Sequence, residues 1–243
     1  MITNSESGTN VHEIADGIYR VNTPINFPNG EPFSFNQYLL VDNEPLLFHT
    51  GPRLLFPLVS QAIAAVMPVE RLRYVGLSHV EADECGSLNP LLAMAPNAVP
   101  LCSRTAAFVS INDLADRPAR ALADGEQLAL GRHTVQWFDT PHVPHGWECG
   151  LLQDSLTGTL FCGDLFTQPG HGEQPLTEAD VLGPSEAFRR QMDYFAHAPH
   201  TAATLTRLAL QKPRTLACMH GSVWRGDGGL LLRQLAEAVS APG

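Results

Sequence analysis

The sequence predicts an α/β domain of the layered kind, in which strands and helices alternate along the whole chain. Short runs of β-branched, aromatic and leucine residues are separated by segments whose apolar residues recur at helical spacing. The chain also contains 20 glycine and 19 proline residues, which interrupt it at short intervals and indicate many short elements. Strands mixed with helices in this way are typical of layered α/β architectures.

In the first half of the chain, apolar runs bounded by turn formers predict strands. The segment 54–67 instead has apolar residues at helical spacing and stops at Pro68, which predicts a helix. The predicted strands are residues 17–21, 36–41, 45–48, 73–77 and 99–102, and the predicted helices are residues 54–67 and 87–94.

The second half continues the pattern. Residues 150–153 and 159–162 predict a hairpin, because the turn formers from Ser155 to Gly158 separate two apolar runs. The other predictions are strands over 134–138 and 215–219, a helix over 185–210 interrupted near Pro199, and a closing helix over 229–239.

Length and composition restrict the class of protein. The 243 residues are 44% hydrophobic with no break in composition, so we expect a single domain over residues 1–243. A formal net charge of −10, with the 15 Lys and Arg residues dispersed, excludes nucleic acid as a partner. The polar start MITNSESGTN and the absence of a long apolar stretch predict a cytoplasmic protein with no membrane association. Five cysteines without a C-x-x-C pair predict free thiols that pack as small apolar residues.

Histidine and carboxylate residues fall just beyond the ends of several predicted strands. In open α/β sheets this edge binds ligands, because the loops leaving the strands converge there. An extended H-x-E-x-D loop also directs every second side chain to the same side. A solvated acidic turn would explain that loop equally well on its own, but the three later positions favour a site for two metals. The candidate ligands are His79, Glu81, Asp83, His145, Asp164 and His220.

Taken together, these motifs resemble those of the metallo-β-lactamase superfamily. Its members have an H-x-H-x-D-H loop, a later His, an Asp after a hairpin strand and a final His followed by Gly. The resemblance runs from Asp16 to the final helix and implies an αβ/βα four-layer sandwich. Within the superfamily, the chain is most similar to the diiron domain of flavodiiron proteins, where Glu replaces the second loop histidine, as Glu81 does here. The nineteen-residue gap from His145 to Asp164 fits that family and favours His145 over His142.

The resemblance implies two iron ions, with zinc or manganese as alternatives. Three neutral imidazoles and three carboxylates carry a formal charge of about −3, so two divalent cations and a bridging hydroxide come close to neutrality. Carboxylate oxygens suit iron or manganese better than a histidine-rich set of ligands does. Glu81 is therefore expected to favour a redox-active metal over zinc.

The resemblance also implies that the site binds dioxygen or nitric oxide between two ferrous ions and reduces it. Because the sequence leaves no room for a flavodoxin domain, we expect no FMN on this chain and a separate electron-donor protein. Stand-alone domains of this type also resemble oxygen-binding relatives, so a role as an oxygen sensor is a further expectation. Family resemblance further implies a homodimer.

Two positions depart from the family pattern. Glu84 stands where hydrolytic members carry a histidine that binds the second zinc, which weakens a hydrolase interpretation. His49 stands where much of the superfamily has Asp. We expect it to cap the turn at Thr50 and Gly51, with a supporting role beside the metals as the alternative.

Three further residues are candidates for supporting the ligands or lining the pocket. They are His142, His171 and Trp224, and each is more typical of an ordinary structural or packing residue.

Two other functions stay open. One is a dinuclear zinc hydrolase of an ester, lactone or thioester, in which a metal-bound hydroxide attacks the carbonyl. The other is a metal-free scaffold that serves as an interaction module. Glu81 and Glu84 argue against the first, and six ligand-type residues at consistent spacing argue against the second.

Overall fold

The computed structural model describes residues 1–241, and it contains two seven-stranded sheets. In the first sheet the strands lie in chain order, antiparallel from β1 to β4 and parallel from β4 to β7. Its strands are β1 (Asn10–Ala15), β2 (Ile18–Asn26), β3 (Pro32–Leu40), β4 (Leu46–Phe48), β5 (Tyr74–Gly76), β6 (Val99–Ser103) and β7 (Arg120–Leu122).

The second sheet has the order β12-β14-β13-β11-β10-β9-β8. Its strands are β8 (Gln127–Ala129), β9 (Thr134–Asp139), β10 (Gly150–Asp154), β11 (Thr159–Gly163), β12 (Leu176–Thr177), β13 (Thr215–Cys218) and β14 (Val223–Arg225). Strands β11 and β13 are parallel neighbours, with Gly163 opposite Cys218. The loops that leave these two strands therefore start side by side.

Helices cover the outer face of each sheet. They are α1 (Phe56–Ala64), α2 (Ala82–Cys85), α3 (Leu88–Met94), α4 (Arg104–Ala106), α5 (Asn112–Leu114), α6 (Leu182–Met192), α7 (Thr201–Ala209) and α8 (Gly228–Ser240). A π-helical turn, Ala107–Ile111, joins α4 to α5, and 3-10 turns lie at Arg53–Leu55 and Val69–Arg71.

Three buried apolar clusters separate four layers. Helices α1 and α3 pack on the first sheet through residues such as Ile63 and Leu91, and α7 and α8 pack on the second through Leu205 and Leu232. Between the sheets lies a third cluster that includes Trp137. This arrangement confirms the αβ/βα four-layer sandwich that the family resemblance implied.

Most predicted elements are confirmed, with shifted ends. The helix predicted over 54–67 is shorter. The interruption predicted near Pro199 in the helix over 185–210 is confirmed as a break at 193–200 between α6 and α7. Asp193 ends α6 in the left-handed conformation, at φ 50°. The elements that the sequence did not predict are β1, β7, β8, β12, β14, α2, α4 and α5. All but β1 have four residues or fewer, too short to show a periodic pattern.

Two further features concern the whole described chain. Within residues 1–241, no helix combines the length and the apolar character that crossing a membrane requires. The five cysteines are free thiols, and all except Cys85 are buried.

Candidate metal centre

The six predicted ligands come together at one end of the sandwich, where loops from both sheets meet. His79 and Glu81 lie between β5 and α2, and Asp83 lies within α2. His145 comes from the loop between β9 and β10, Asp164 directly follows β11, and His220 follows β13 by two residues. Because β11 and β13 are parallel neighbours, Asp164 and His220 leave the same edge of the second sheet.

Four of these residues form a first group. The Nε2 atoms of His79 and His145 lie 3.0 Å apart. Nε2 of His145 is also 3.1 Å from Oε1 of Glu81 and 3.3 Å from Oδ2 of Asp164. Nε2 of His79 lies 3.5 Å from the same Asp164 oxygen. Ligand atoms that share one metal ion are roughly 3 Å apart, since each lies about 2.0–2.2 Å from it.

A second group forms on the other side of Asp164. Nε2 of His220 lies 3.4 Å from Oδ2 of Asp83 and 3.4 Å from Oδ1 of Asp164. Asp164 thus presents one carboxylate oxygen to each group. The geometry is that of two neighbouring cation positions that share one carboxylate.

Each candidate histidine has a partner at its outer ring nitrogen. Nδ1 of His145 donates to the carbonyl of Tyr194, and Nδ1 of His220 donates to the carbonyl of Ser34, both at 2.9 Å. Nδ1 of His79 lies 2.8 Å from Oγ of Ser78. Such partners fix the orientation of metal-binding imidazoles and direct the Nε2 atoms to the metal.

Opposite charges hold the groups together in the metal-free chain. Burial lowers the pKa of His145 and His220, but contacts of His145 with Asp164 and Glu81, and of His220 with Asp164 and Asp83, raise each to about 10. Burial raises the pKa of Asp164, but the two histidines outweigh it and hold the pKa well below its usual range. The carboxylates therefore attract positive charge.

Glu84 is a further acidic residue at the centre, and it was not among the ligands predicted from the sequence. Its carboxyl is fully buried, and its Oε2 lies 3.7 Å from Nε2 of His79. Burial raises the pKa of Glu84 well above its usual value, and the charges of Asp164 and Asp83 raise it further. In the extended loop that the sequence predicted, Glu84 would point away. Helix α2 instead begins at Ala82, so consecutive side chains reach the centre.

The arrangement fits a pair of metal ions. Oδ1 of Asp164 and both carboxyl oxygens of Glu84 are buried without a hydrogen-bond partner. Buried polar atoms in proteins are normally satisfied, and a bound ion can supply the partner that such an atom lacks. Three imidazoles and several carboxylates are also the donor set that iron, manganese and zinc accept.

The three residues predicted as further support lie elsewhere. His142 is exposed, and its ring centre lies 6.2 Å from that of His200. Nε2 of His171 lies 3.0 Å from Oδ1 of Asn26. Trp224 packs against the core between the second sheet and its helices. The partners of the ligand histidines are instead Ser78 and two backbone carbonyls.

His49 supports the centre, and the expectation that it caps a turn was wrong. Its Nε2 lies 2.8 Å from Oγ of Ser78, which in turn contacts Nδ1 of His79. Its Nδ1 lies 3.0 Å from Sδ of Met219. Burial lowers the pKa of His49 to about 3, and the charge of His79 adds to the effect, so the ring is neutral. The backbone of His49 is left-handed, at φ 67°, a conformation that sequence patterns do not reveal.

A cavity of about 150 Å³ opens onto the two groups. Apart from the acidic and histidine residues, its walls are Phe33, Thr167, Phe188, Met192 and Tyr194. The ring of Phe33 lies 4.5 Å from that of His220. An adjoining cavity of about 310 Å³ shares Phe33 and Phe188 and has mostly apolar walls. The approach to the centre is therefore largely apolar.

Comparison with known protein families and curated proteins gives consistent matches. The family model described as ODP family beta lactamase matches residues 33–221. The nitric oxide reductase of Moorella thermoacetica is 24% identical over 254 aligned positions, covering 95% of this chain and 61% of the relative. The rubredoxin-oxygen oxidoreductase of Megalodesulfovibrio gigas is 26% identical over 204 positions, covering 79% and 50%. The chain thus spans less than two thirds of the length of these curated relatives.

Solved structures share the fold. Rubredoxin oxygen:oxidoreductase from Desulfovibrio gigas superimposes with a TM-score of 0.79 at 20% identity, covering 94% of this chain and 62% of the other. The Flv1 flavodiiron core from Synechocystis sp. PCC6803 gives a TM-score of 0.78 at 23% identity, covering 96% and 61%. The metallo-β-lactamase-like fold of flavodiiron proteins, which the motifs resembled, is confirmed.

A first prediction concerns the shared carboxylate. Asp164→Ala should lose at least one of two bound metal ions, because both groups depend on Asp164. The measurement is the metal content per chain of protein purified without chelators. Asp113→Ala, which removes an exposed carboxylate from α5, should match the wild type. Full retention of both ions by Asp164→Ala would remove Asp164 from the centre.

A second prediction concerns the support of His79. Ser78→Ala should weaken metal binding by about 10- to 100-fold, the typical effect of removing a partner of a ligand. Titration of the metal-free protein with Mn²⁺, followed by electron paramagnetic resonance of the free ion, measures the change. Ser87→Ala is the matched control, since Ser87 is also buried but donates to the carbonyl of Pro52. Equal affinity in both variants would show that Ser78 does not orient His79.

Proposed function

Because this chain belongs to the family described as ODP family beta lactamase, we propose that it is a non-haem diiron protein that binds dioxygen or nitric oxide and reduces it. Electrons come from a separate donor protein. Relatives of the chain are named nitric oxide reductase and rubredoxin-oxygen oxidoreductase. Those names support the class of reaction, and the choice between the two gases stays open.

One observation carries the proposal. Two groups of imidazole nitrogens and carboxylate oxygens face each other across Asp164, whose Oδ2 is 3.3 Å from His145 and whose Oδ1 is 3.4 Å from His220. A structural ion pair needs one acid and one base, whereas this cluster gathers several acids around shared positions. Two cations would satisfy both sides of the shared carboxylate.

The donor set favours iron over zinc. In the first group, two imidazoles, from His79 and His145, combine with the carboxylates of Glu81 and Asp164. Carboxylate oxygens combined with imidazoles suit non-haem ferrous iron, while tetrahedral nitrogen and sulfur sets are typical of structural zinc. The carboxylate of Glu81 stands in the position of a superfamily histidine, and this replacement makes the ligands more suitable for iron than for zinc.

The chain's own residues prepare the centre for a small neutral substrate. A bound pair of ferrous ions would supply electrons and open coordination positions for dioxygen or nitric oxide. Phe33 and Phe188 keep bulk water away from the ligand histidines through apolar walls. The carbonyls of Tyr194 and Ser34 hold His145 and His220 in place. The cavity of about 150 Å³ is small beside the roughly 300–1,000 Å³ of pockets for larger organic ligands.

The test of this function is the metal content of protein purified without chelators, read together with its optical spectrum. We expect about two irons per chain and a new absorption band when the ferrous form meets air. Decay of that band on adding a reductant, with oxygen consumed, identifies reduction. A band that disappears when oxygen is removed, with no reductant added, identifies reversible oxygen binding, as in a sensor.

Two zinc ions per chain and no spectral response, reproduced in cultures supplied with iron, would overturn the proposal. The zinc hydrolase of an ester, lactone or thioester would then be the function to assay.

A third prediction concerns which metal the centre binds. Glu81→His should shift the metal content of the purified protein towards zinc, because the substitution replaces a carboxylate oxygen with an imidazole nitrogen. Glu237→His, on the exposed face of α8, adds the same imidazole elsewhere and should leave the metal content unchanged. Iron occupancy that is the same in Glu81→His and in the control would contradict the role given to ligand chemistry.

A further inference from the structure

We propose that Glu84 is a fourth carboxylate ligand of the metal pair, in addition to the six residues described above. The proposal rests on the metal-binding part of the proposed function and would make this centre more acidic than the resemblance implied. The carboxyl of Glu84 is fully buried, and neither of its oxygens has a hydrogen-bond partner.

Outside the metal centre, the buried carboxyl groups of residues 1–241 have partners that explain their burial. Asp154 accepts hydrogen bonds from the backbone and hydroxyl of Thr157. Glu148 accepts one from the backbone of Val80, and Glu186 pairs with Arg189. Glu84 is different from these, because its nearest polar atoms belong to the metal centre.

The position of Glu84 lies between the two groups. Its carboxylate falls within 4.8 Å of ligand atoms of His79 and Asp164, and likewise of Glu81 and Asp83. It is therefore close to residues of both groups. An acid with no hydrogen-bond donor of its own, in contact with ligands of two cation positions, is placed to bind a cation itself.

The backbone around Glu84 is held in place by neighbouring segments. The carbonyl of Glu84 accepts a hydrogen bond from the backbone of Thr50 at 2.8 Å, so the loop after β4 fixes this part of α2. Gly86, two residues later, has no room for a side chain, since a Cβ there would lie 2.2 Å from the carbonyl of Ala82. Helix α2 is packed closely, and its rigid backbone points the carboxyl into the centre.

Charge supports the assignment. Four ionised carboxylates carry −4, which balances the +4 of two divalent cations without a further anion. An added oxygen donor also suits manganese and iron better than zinc. Glu84 in place of an imidazole thus strengthens the preference that Glu81 already gives.

Titration of the metal-free protein with Mn²⁺ tests the proposal, with the free ion followed by electron paramagnetic resonance. Glu84→Gln keeps the size of the side chain and removes its charge, and we expect at least tenfold weaker binding of one of the two ions. Asp154→Asn is the matched control, since it removes the charge of a buried carboxyl away from the centre whose hydrogen bonds from Thr157 an amide oxygen can still accept. It should bind Mn²⁺ like the wild type.

Wild-type affinity for both ions in Glu84→Gln would overturn the proposal. Should that variant fail to fold, crystals of the wild type soaked with Mn²⁺ decide: a Glu84 oxygen bonded to an ion supports the assignment, and a carboxyl out of reach rejects it. Neither measurement uses oxygen. A wild type that binds two ions but does not react with oxygen would therefore contradict the proposed function and leave the role of Glu84 standing.

Discussion

The concentration of carboxylates at one end of the sandwich is the constraint on which the rest of the centre depends. Glu84 and Asp164 are buried, and Glu81 and Asp83 lie beside them. Like charges so close together in a poorly solvated place cannot all be ionised unless cations accompany them. That requirement raises the pKa of the neighbouring imidazoles of His145 and His220, and it raises the pKa of the Glu84 carboxyl. Metal ions would satisfy the same requirement more completely.

The candidate ligands also need a backbone that holds them in place, and hydrogen bonds from the first sheet to the second fix that backbone. The fully buried Arg20 of β2 donates hydrogen bonds to the side chain of Asn36 and to the carbonyl of Gly221. Asn36 of β3 also donates to that carbonyl. The carbonyl of Ser34 holds the ring of His220. A ligand near the end of the chain is therefore positioned by strands near its beginning.

Local patterns were sufficient to predict an α/β fold, and the family resemblance added the order of its four layers. The candidate ligands that follow β5, β11 and β13 could be named from the sequence because strand ends and metal-binding residue types both leave local patterns. The sequence did not reveal Glu84 or His49. Glu84 faces the centre because a helix begins at Ala82, one residue after Glu81. His49 reaches Ser78 because its backbone is left-handed. Both depend on conformations that tertiary packing decides. The short strands at the sheet edges were missed for a similar reason, since two or three residues carry no periodicity.

The cavity is acidic on one side and apolar on the other, and this combination limits which molecules can approach the centre. Carboxylates face the cavity from one side, while Phe33, Phe188 and Met192 line it from the other. An anionic substrate would lose its hydration against the aromatic rings and would meet a chain with a formal net charge of −10. A neutral diatomic molecule has little hydration to lose and fits a small cavity. Selection by lack of charge thus agrees with the proposed substrates, dioxygen or nitric oxide, more than with esters that carry carboxylates, whichever metal occupies the centre.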